Sequence, residues 1–381
     1  MPKLSKEMIM EQLFVFGKPV ENEAFTDREK ESARLRANFK GGINTFIISP
    51  RRWGKTSLVK KVIRDSDRRN PIYVFVDVFK AKTSAEFCEM LGNAVLKQTS
   101  SMLDEWIDSA KRFLGRVSVG VNLNPDGVNP VNFQFGVSNE PEALEEVLQL
   151  PQRIAEKKRV RLVLCIDEFQ QIAEFEDSLV FQKQLRTVWQ HQKDVSYCLF
   201  GSKKHMMEGL FNDESKPFFQ FGDVIYLKKI PVSYWMDFIS SRFTRTGKKI
   251  SCSQIERICH AVNEHPSYVQ QLCWYVYLFS SETVTDQNIA DGLEELIDQN
   301  TALFESRTEN LTPVQMRFLK AIADGVTEGF SSAAVISRYK LGSSAASVST
   351  RKALLEKGLV YMEDAKLYLA DPVMGLWILR A

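Results

Sequence analysis

The chain has 381 residues, room for two or three domains at about 100–200 residues each. It is 44% hydrophobic and 26% charged, the profile of a soluble globular protein, and a formal net charge of +2 excludes a global basic field that would announce a nucleic-acid partner. No stretch approaches the roughly 20 apolar residues of a membrane span, and Met1–Glu7 lacks the apolar run of a secretory signal. The expected setting is therefore cytoplasmic, with no membrane partner. Six cysteines without a C-x-x-C pair and four dispersed histidines point to a reducing compartment and give no zinc spacing.

In chain order, residues 1–40 form a polar lead-in containing Phe25-Thr26-Asp27-Arg28-Glu29, then a helix-like stretch to Phe39. Asn44–Ile48 is a short apolar β run, followed by a helix from Lys55 to about Arg64. Ile72–Phe79 is continuously apolar, as a strand buried on both faces should be. Residues 84–114 carry helical stripes through Phe87, Leu91, Val95, Met102, Trp106, Ile107 and Phe113. The period then changes to two over residues 117–137, with Asn124-Pro125-Asp126-Gly127 between the alternating runs, which predicts a β-hairpin. It reads as a decoration over the core or as a partner-binding flap.

Helix 141–157 precedes strand Arg161–Ile166, helix 178–192 precedes strand Tyr197–Phe200, and Val224–Leu227 adds a further candidate strand. Such alternation predicts a parallel sheet with helices on both faces. Residues 231–300 carry only amphipathic helical patterns. Helices at 313–323, 331–339 and 343–357, then β runs Leu359–Met362 and Lys366–Leu369, describe a winged helix. The expected division is a core over 1–230, a helical lid over 231–305 and a winged helix over 306–381.

The sharpest chemical signal is Ser49-Pro50-Arg51-Arg52-Trp53-Gly54-Lys55-Thr56-Ser57, between a predicted strand and a predicted helix. A phosphate-binding loop needs that context, because backbone N–H groups and the positive end of the helix dipole face the same anion. Gly54 permits close backbone approach, Lys55 can reach β- and γ-phosphates, and Thr56 can ligate Mg²⁺. The pattern departs from G-x-x-x-x-G-K-[ST] at its first position, where Ser49 fits if its φ stays negative. The second signal is Leu162-Val163-Leu164-Cys165-Ile166-Asp167-Glu168, a buried strand ending in two carboxylates. Asp167 can support Mg²⁺ beside Thr56, and Glu168 can orient and deprotonate an attacking water. Ser202, just after strand Tyr197–Phe200, either senses the γ-phosphate or caps the next helix. These motifs imply ATP or ADP with Mg²⁺ as ligands.

Ser49–Ser57, Ile166-Asp167-Glu168-Phe169, Gly201-Ser202 and His265-Pro266-Ser267-Tyr268-Val269-Gln270-Gln271-Leu272 together resemble the archaeal-type ATPases, a STAND branch of the AAA+ superfamily. Phe25–Glu29 and Asp371-Pro372 with Trp377 fit as well, so the resemblance covers nearly the whole chain. It implies an α/β P-loop NTPase core, a small helical lid and a C-terminal winged helix. It also implies Phe25 and Arg28 near the adenine or ribose, and His265-Pro266 as a lid segment with Pro266 against the base.

Between Arg186 and Arg242 the chain has no arginine, although Lys203, Lys204 and Lys216 are available after the Ser202 strand. Lysine lacks the planar fork of an arginine finger, so a hexameric ring is disfavoured and a slow switch expected. Residues 311–381 hold nine Lys plus Arg against six Asp plus Glu, a mild basic excess. The winged helix can therefore meet DNA or a protein. A nucleotide-responsive DNA-binding regulator and a small-molecule kinase are the alternative functions; the Asp167-Glu168 pair suits water activation better than transfer to an acceptor.

Overall fold

Five runs rich in Val, Ile, Leu and Phe form one parallel sheet, whose three central strands are buried throughout and whose two edge strands are partly exposed. The computed structural model describes residues 13–20, 22–67, 69–100, 114–115, 118–122, 132–138 and 140–380. The strands are β1 (Thr45–Ile48), β2 (Ile72–Asp77), then the separate hairpin β3 (Ser118–Asn122) and β4 (Asn132–Gly136), then β5 (Leu162–Asp167), β6 (Val195–Gly201) and β7 (Asp223–Tyr226). The sheet order is β2-β5-β6-β1-β7. Ile48 stands opposite Gly201, and Ile166 opposite Leu199. The carboxyl ends of β1, β6 and β5 therefore lie side by side, the edge at which open α/β sheets bind ligands.

The alternation over 117–137 yields an antiparallel pair, Ser118 opposite Gly136 and Asn122 opposite Asn132. Its proposed turn, Asn124–Gly127, lies outside the described residues. The helix expected over 84–114 is described as Ser84–Thr99, capped by Thr83. Met102, Trp106, Ile107 and Phe113 lie outside the described residues. β2 stops at Asp77, two residues short of the apolar run, because the Asp77 side chain accepts a hydrogen bond from Phe79 N and turns the chain. Phe79 is left exposed.

The described chain falls into two compact units. One contains 28–49 and 58–227 and therefore the whole sheet. Its helix Glu29–Gly41 is fastened to β7 through Asp223, which accepts from Arg34 Nε at 2.8 Å and Asn38 Nδ2 at 2.7 Å. Its core centres on Phe169, fully buried, with ring centroids 5.5 Å from Phe218, 6.0 Å from Phe211 and 6.1 Å from Trp189.

The other unit contains the described residues up to Asp27, the loop Pro50–Ser57 and everything from Lys228. Helices Val232–Arg245, Cys252–Ala261, Pro266–Phe279 and Asp286–Thr308 build one apolar core with the winged helix. Ser251 with Gln254 and Thr285 with Asn288 form capping boxes that fix two of these starts. The lead-in is not merely polar. Leu13 and Phe14 are buried in this core, Val15 N donates to Gln270 Oε1 at 2.9 Å, and Arg242 Nε donates to Leu13 O at 2.9 Å. Burial and Arg245 push the Arg242 guanidinium down to about 10, which still leaves it charged at neutral pH.

The winged helix comprises Pro313–Ala323, Ala333–Tyr339 and Ser344–Glu356, the hairpin of β8 (Val360–Glu363) and β9 (Lys366–Leu369), and a closing helix Pro372–Arg380. Asp371 caps that last helix, accepting from Val373 N at 3.2 Å and Met374 N at 3.3 Å, and also accepts from Tyr268 Oη at 2.8 Å. The β8–β9 turn places Asp364 and Ala365 at φ 47° and 62°. Among the described residues no helix is long and apolar enough to cross a membrane.

Phe169 is the side chain on which the Asp167-Glu168 end of β5 rests. Phe169→Ala should destabilise the protein by about 3–5 kcal/mol through lost burial and a residual cavity, read as a lower midpoint in urea unfolding. A change under about 1 kcal/mol would show that the aromatic cluster relaxes around the gap.

Candidate functional site

Within the sheet unit, β5 delivers Asp167 as its last residue and Glu168 as the first beyond it. Glu168 takes a left-handed φ of 56°, which turns the chain out of the strand into the 3₁₀ helix Phe169–Glu174. Asp167 is buried, and its Oδ1 accepts from Glu168 N at 2.9 Å. β6 ends beside β5, and Ser202 follows it directly. Ser202 N and Oγ both donate to Glu168 Oε2, at 3.2 and 2.9 Å. The next helix, Lys204–Phe211, has Lys203 as its N-cap and no side-chain cap bond. The Ser202 hydroxyl thus serves Glu168. Lys203 is bonded to Glu174, and Lys204 lies 3.8 Å from Glu208.

The phosphate-loop segment follows β1, and a helix begins at Lys55 and runs to Arg64. The left-handed positions fall at Arg52 (φ 61°) and Gly54 (φ 92°), whereas Ser49 is not among the positive-φ residues. The strained step of the loop is thus carried by Gly54 and Arg52, and a serine at the first position needs no glycine-like backbone. Lys55 is buried, with Nζ donating to Pro50 O at 2.9 Å. Ser57 Oγ accepts from Val20 N at 3.0 Å, which ties the lead-in to the loop.

In the same unit the loop meets the start of helix Pro266–Phe279 and the winged helix. Trp53 is buried, edge-on to Tyr361 of β8 with ring centroids 6.3 Å apart and planes at 80°. His265 is the N-cap of helix Pro266–Phe279, and Pro266 is its buried first residue. The His265 imidazole is pushed down to about 3, first by burial, then by the Arg52 charge, with a hydrogen bond to the Arg51 backbone acting the other way. It is a neutral ring, and its Nδ1 has no hydrogen-bond partner. Phe25 lies in this unit, half-buried; Arg28 belongs to the sheet unit, buried at φ 77° before helix Glu29–Gly41, with its guanidinium 3.3 Å from Glu31.

Residues 25–272 match the model of an ATPase domain predominantly from Archaea. The chain belongs to this ATPase family. Residues 302–380 match a second model, described as "Probable winged helix domain". Among solved structures, the Walker-type ATPase paby2304 of Pyrococcus abyssi superposes with a TM-score of 0.67 at 16% identity, over 97% of this chain and 100% of that one. The Aeropyrum pernix ORC2 protein, solved in ADPNP–ADP complexes, gives a TM-score of 0.55 at 12% identity, over 99% of this chain and 98% of that one. No curated protein matches in sequence. The fold class is that of an AAA+-like P-loop ATPase with a C-terminal winged helix.

Reading the sequence alone overlooked two partners. In the sequence Tyr361 reads only as a strand residue of the wing, since nothing there marks its contact with Trp53. Gln170, which bonds Glu168, carried no signal beyond its distance of two residues from the acid.

His265 gives a pH test. Its folded pKa lies below the ordinary 6.5, so below that value the unfolded chain binds a proton the folded chain refuses. The stability it contributes is full above about pH 6.5 and is lost towards about pH 3, at up to about 1.4 kcal/mol per unit. Denaturant midpoints at pH 7, 6 and 5 should fall more steeply for wild type than for His265→Gln. Parallel slopes would count against the buried neutral ring.

Proposed function

We propose that the protein binds ATP with Mg²⁺ and hydrolyses it slowly, as a switch whose nucleotide state sets the position of lid and winged helix. The observation that carries this reading is that the phosphate loop packs with the lid and the winged helix in one compact unit, Trp53 against Tyr361 and Arg51–Arg52 beside His265. A loop so embedded cannot change its occupancy without disturbing those contacts. In the proposed division of labour, residues 1–230 are the ATPase core, 231–305 the lid and 306–381 the winged helix.

Lys55 and the loop amides hold the phosphates. Thr56 hydroxyl and the buried Asp167 carboxylate are hard oxygen donors of the kind Mg²⁺ takes, together with phosphate and water. Mg²⁺, when bound, neutralises phosphate charge. Glu168 orients a water whose oxygen attacks the γ-phosphorus. The bond to the β-bridging oxygen breaks, ADP leaves with the electron pair, and the water proton passes to the Glu168 carboxylate and on to phosphate. In this reading Ser202 relates γ-phosphate loss to Glu168, and its hydrogen bond to that carboxylate supports the role. Phe25, Arg28, His265 and Pro266 are assigned to the base and ribose by family likeness, as is the STAND affiliation; the cytoplasmic setting rests on the composition, and the non-ring assembly on the stretch without arginine between Arg186 and Arg242. The nucleotide in the Aeropyrum pernix ORC2 structure supports ATP and ADP as the ligands.

A second reading, a DNA-binding regulator, has one observation in its favour. Helix Ser344–Glu356 buries Ser347, Thr350 and Leu354 and exposes Ser344, Arg351 and Lys352, with Ser343 and Lys357 exposed at its two ends. Arg351 and Lys352 are donors of the kind that meet phosphates, although Val348 and Glu356 are exposed on the same helix.

Phosphate release from ATP and Mg²⁺ should fall roughly 100- to 10,000-fold in Glu168→Gln, with ATP binding retained. Lys55→Ala should lose nucleotide binding. Turnover preserved in Glu168→Gln would discard the assignment of the base. Duplex DNA added to the same assay should stimulate turnover if DNA is the partner, whereas salt-sensitive DNA binding indifferent to Lys55→Ala would favour the regulator.

A further inference from the structure

Gln170 lies in the first turn of the 3₁₀ helix Phe169–Glu174 and is almost fully buried, at 2% exposure. Its Nε2 donates to Glu168 Oε2 at 2.5 Å. With Ser202 N and Oγ, three donors converge on that one oxygen, and among the described residues every hydrogen bond accepted by the Glu168 side chain falls there. The other end of the amide is unusual. Gln170 Oε1 is buried and has no hydrogen-bond partner among the described residues. It occupies the space that a side chain at position 201 would need, since a Cβ on Gly201 would stand 1.7 Å from Oε1.

A buried amide oxygen left unpaired costs free energy, and an apolar side chain of the same size would avoid that cost. Flipping the amide would give Oε1 no relief, because it would then face the carboxylate oxygen of Glu168. The hydrogen bond from Nε2 is what the residue supplies, and Gly201 is the vacancy that admits it. Resting on the reading of Glu168 as the base, we infer that Gln170 is a positioning residue: with Ser202 it pins Glu168 by Oε2 and leaves Oε1 as the oxygen presented to the water.

Gln170→Met keeps the volume and removes the donor. It should lower kcat for ATP hydrolysis roughly 10- to 100-fold, with KM and the ATP dissociation constant unchanged. Gly201→Ala, which drives a methyl into Oε1, should show the same kcat loss in an otherwise unaltered chain and no further loss in a Gln170→Ala background. That cycle still decides the matter if Gln170→Met does not fold. Unchanged kcat in Gln170→Met, a raised KM at unchanged kcat, a rise in turnover, or additive losses in the cycle would each overturn the inference. Wild-type protein without Glu168-dependent turnover would remove the underlying reading and the inference with it; that outcome is recognised from wild type beside Glu168→Gln, before any variant at Gln170 or Gly201 is made.

Discussion

Everything at the candidate site depends on the parallel register of β1, β6 and β5. Parallel strands point all their carboxyl ends to one edge, and the pairing of Ile48 with Gly201 and Ile166 with Leu199 levels those ends with one another. The start of the phosphate loop, Ser202 and the Asp167-Glu168 pair are each the first polar residues after an apolar run. The sheet need only bury its strands for three separate segments to leave it together. Helix Glu29–Gly41 is tied to the neighbouring β7 through Asp223, and the aromatic cluster around Phe169 follows directly on β5.

Several motif segments contain left-handed backbone. Arg52 and Gly54 in the loop, Glu168 after β5, and Asn263 with Glu264 just before His265 all have positive φ. Non-glycine residues keep such conformations only where surrounding contacts over-determine them. Glu168 has its bonds from Ser202 and Gln170; Asn263 and Glu264 are both bonded by Lys229. Each of these residues stands within or next to a motif in the sequence, where it fixes the direction of the chain.

What could be read from the sequence was what short-range physics decides. β1, β5 and β6 were legible because strands buried on both faces are continuous apolar runs, and the motifs were legible because they interrupt those runs at their ends. The winged helix was legible from its caps, such as Thr312 with Gln315, and from its closing hairpin. What stayed hidden depends on contacts far apart in sequence. Arg242 reaches Leu13 across 229 residues, so the apolar Phe14-Val15-Phe16 looked like part of a polar lead-in. The helix Pro372–Arg380, the Trp53–Tyr361 contact and the grouping of Pro50–Ser57 with the lid belong to the same class.

The turn of the wing has a consequence for the order of folding. Two successive left-handed residues make a hairpin turn that Asn-Gly or Asp-Gly would favour, yet the second is Ala365. An L-residue with a side chain pays about 1–2 kcal/mol in that region. The turn therefore cannot nucleate β8 and β9 by itself, and strands of four residues add little. Leu359, Val360 and Leu367 must first find the helical core that buries them. The wing is thus a late, templated element, shaped by the helices it closes over.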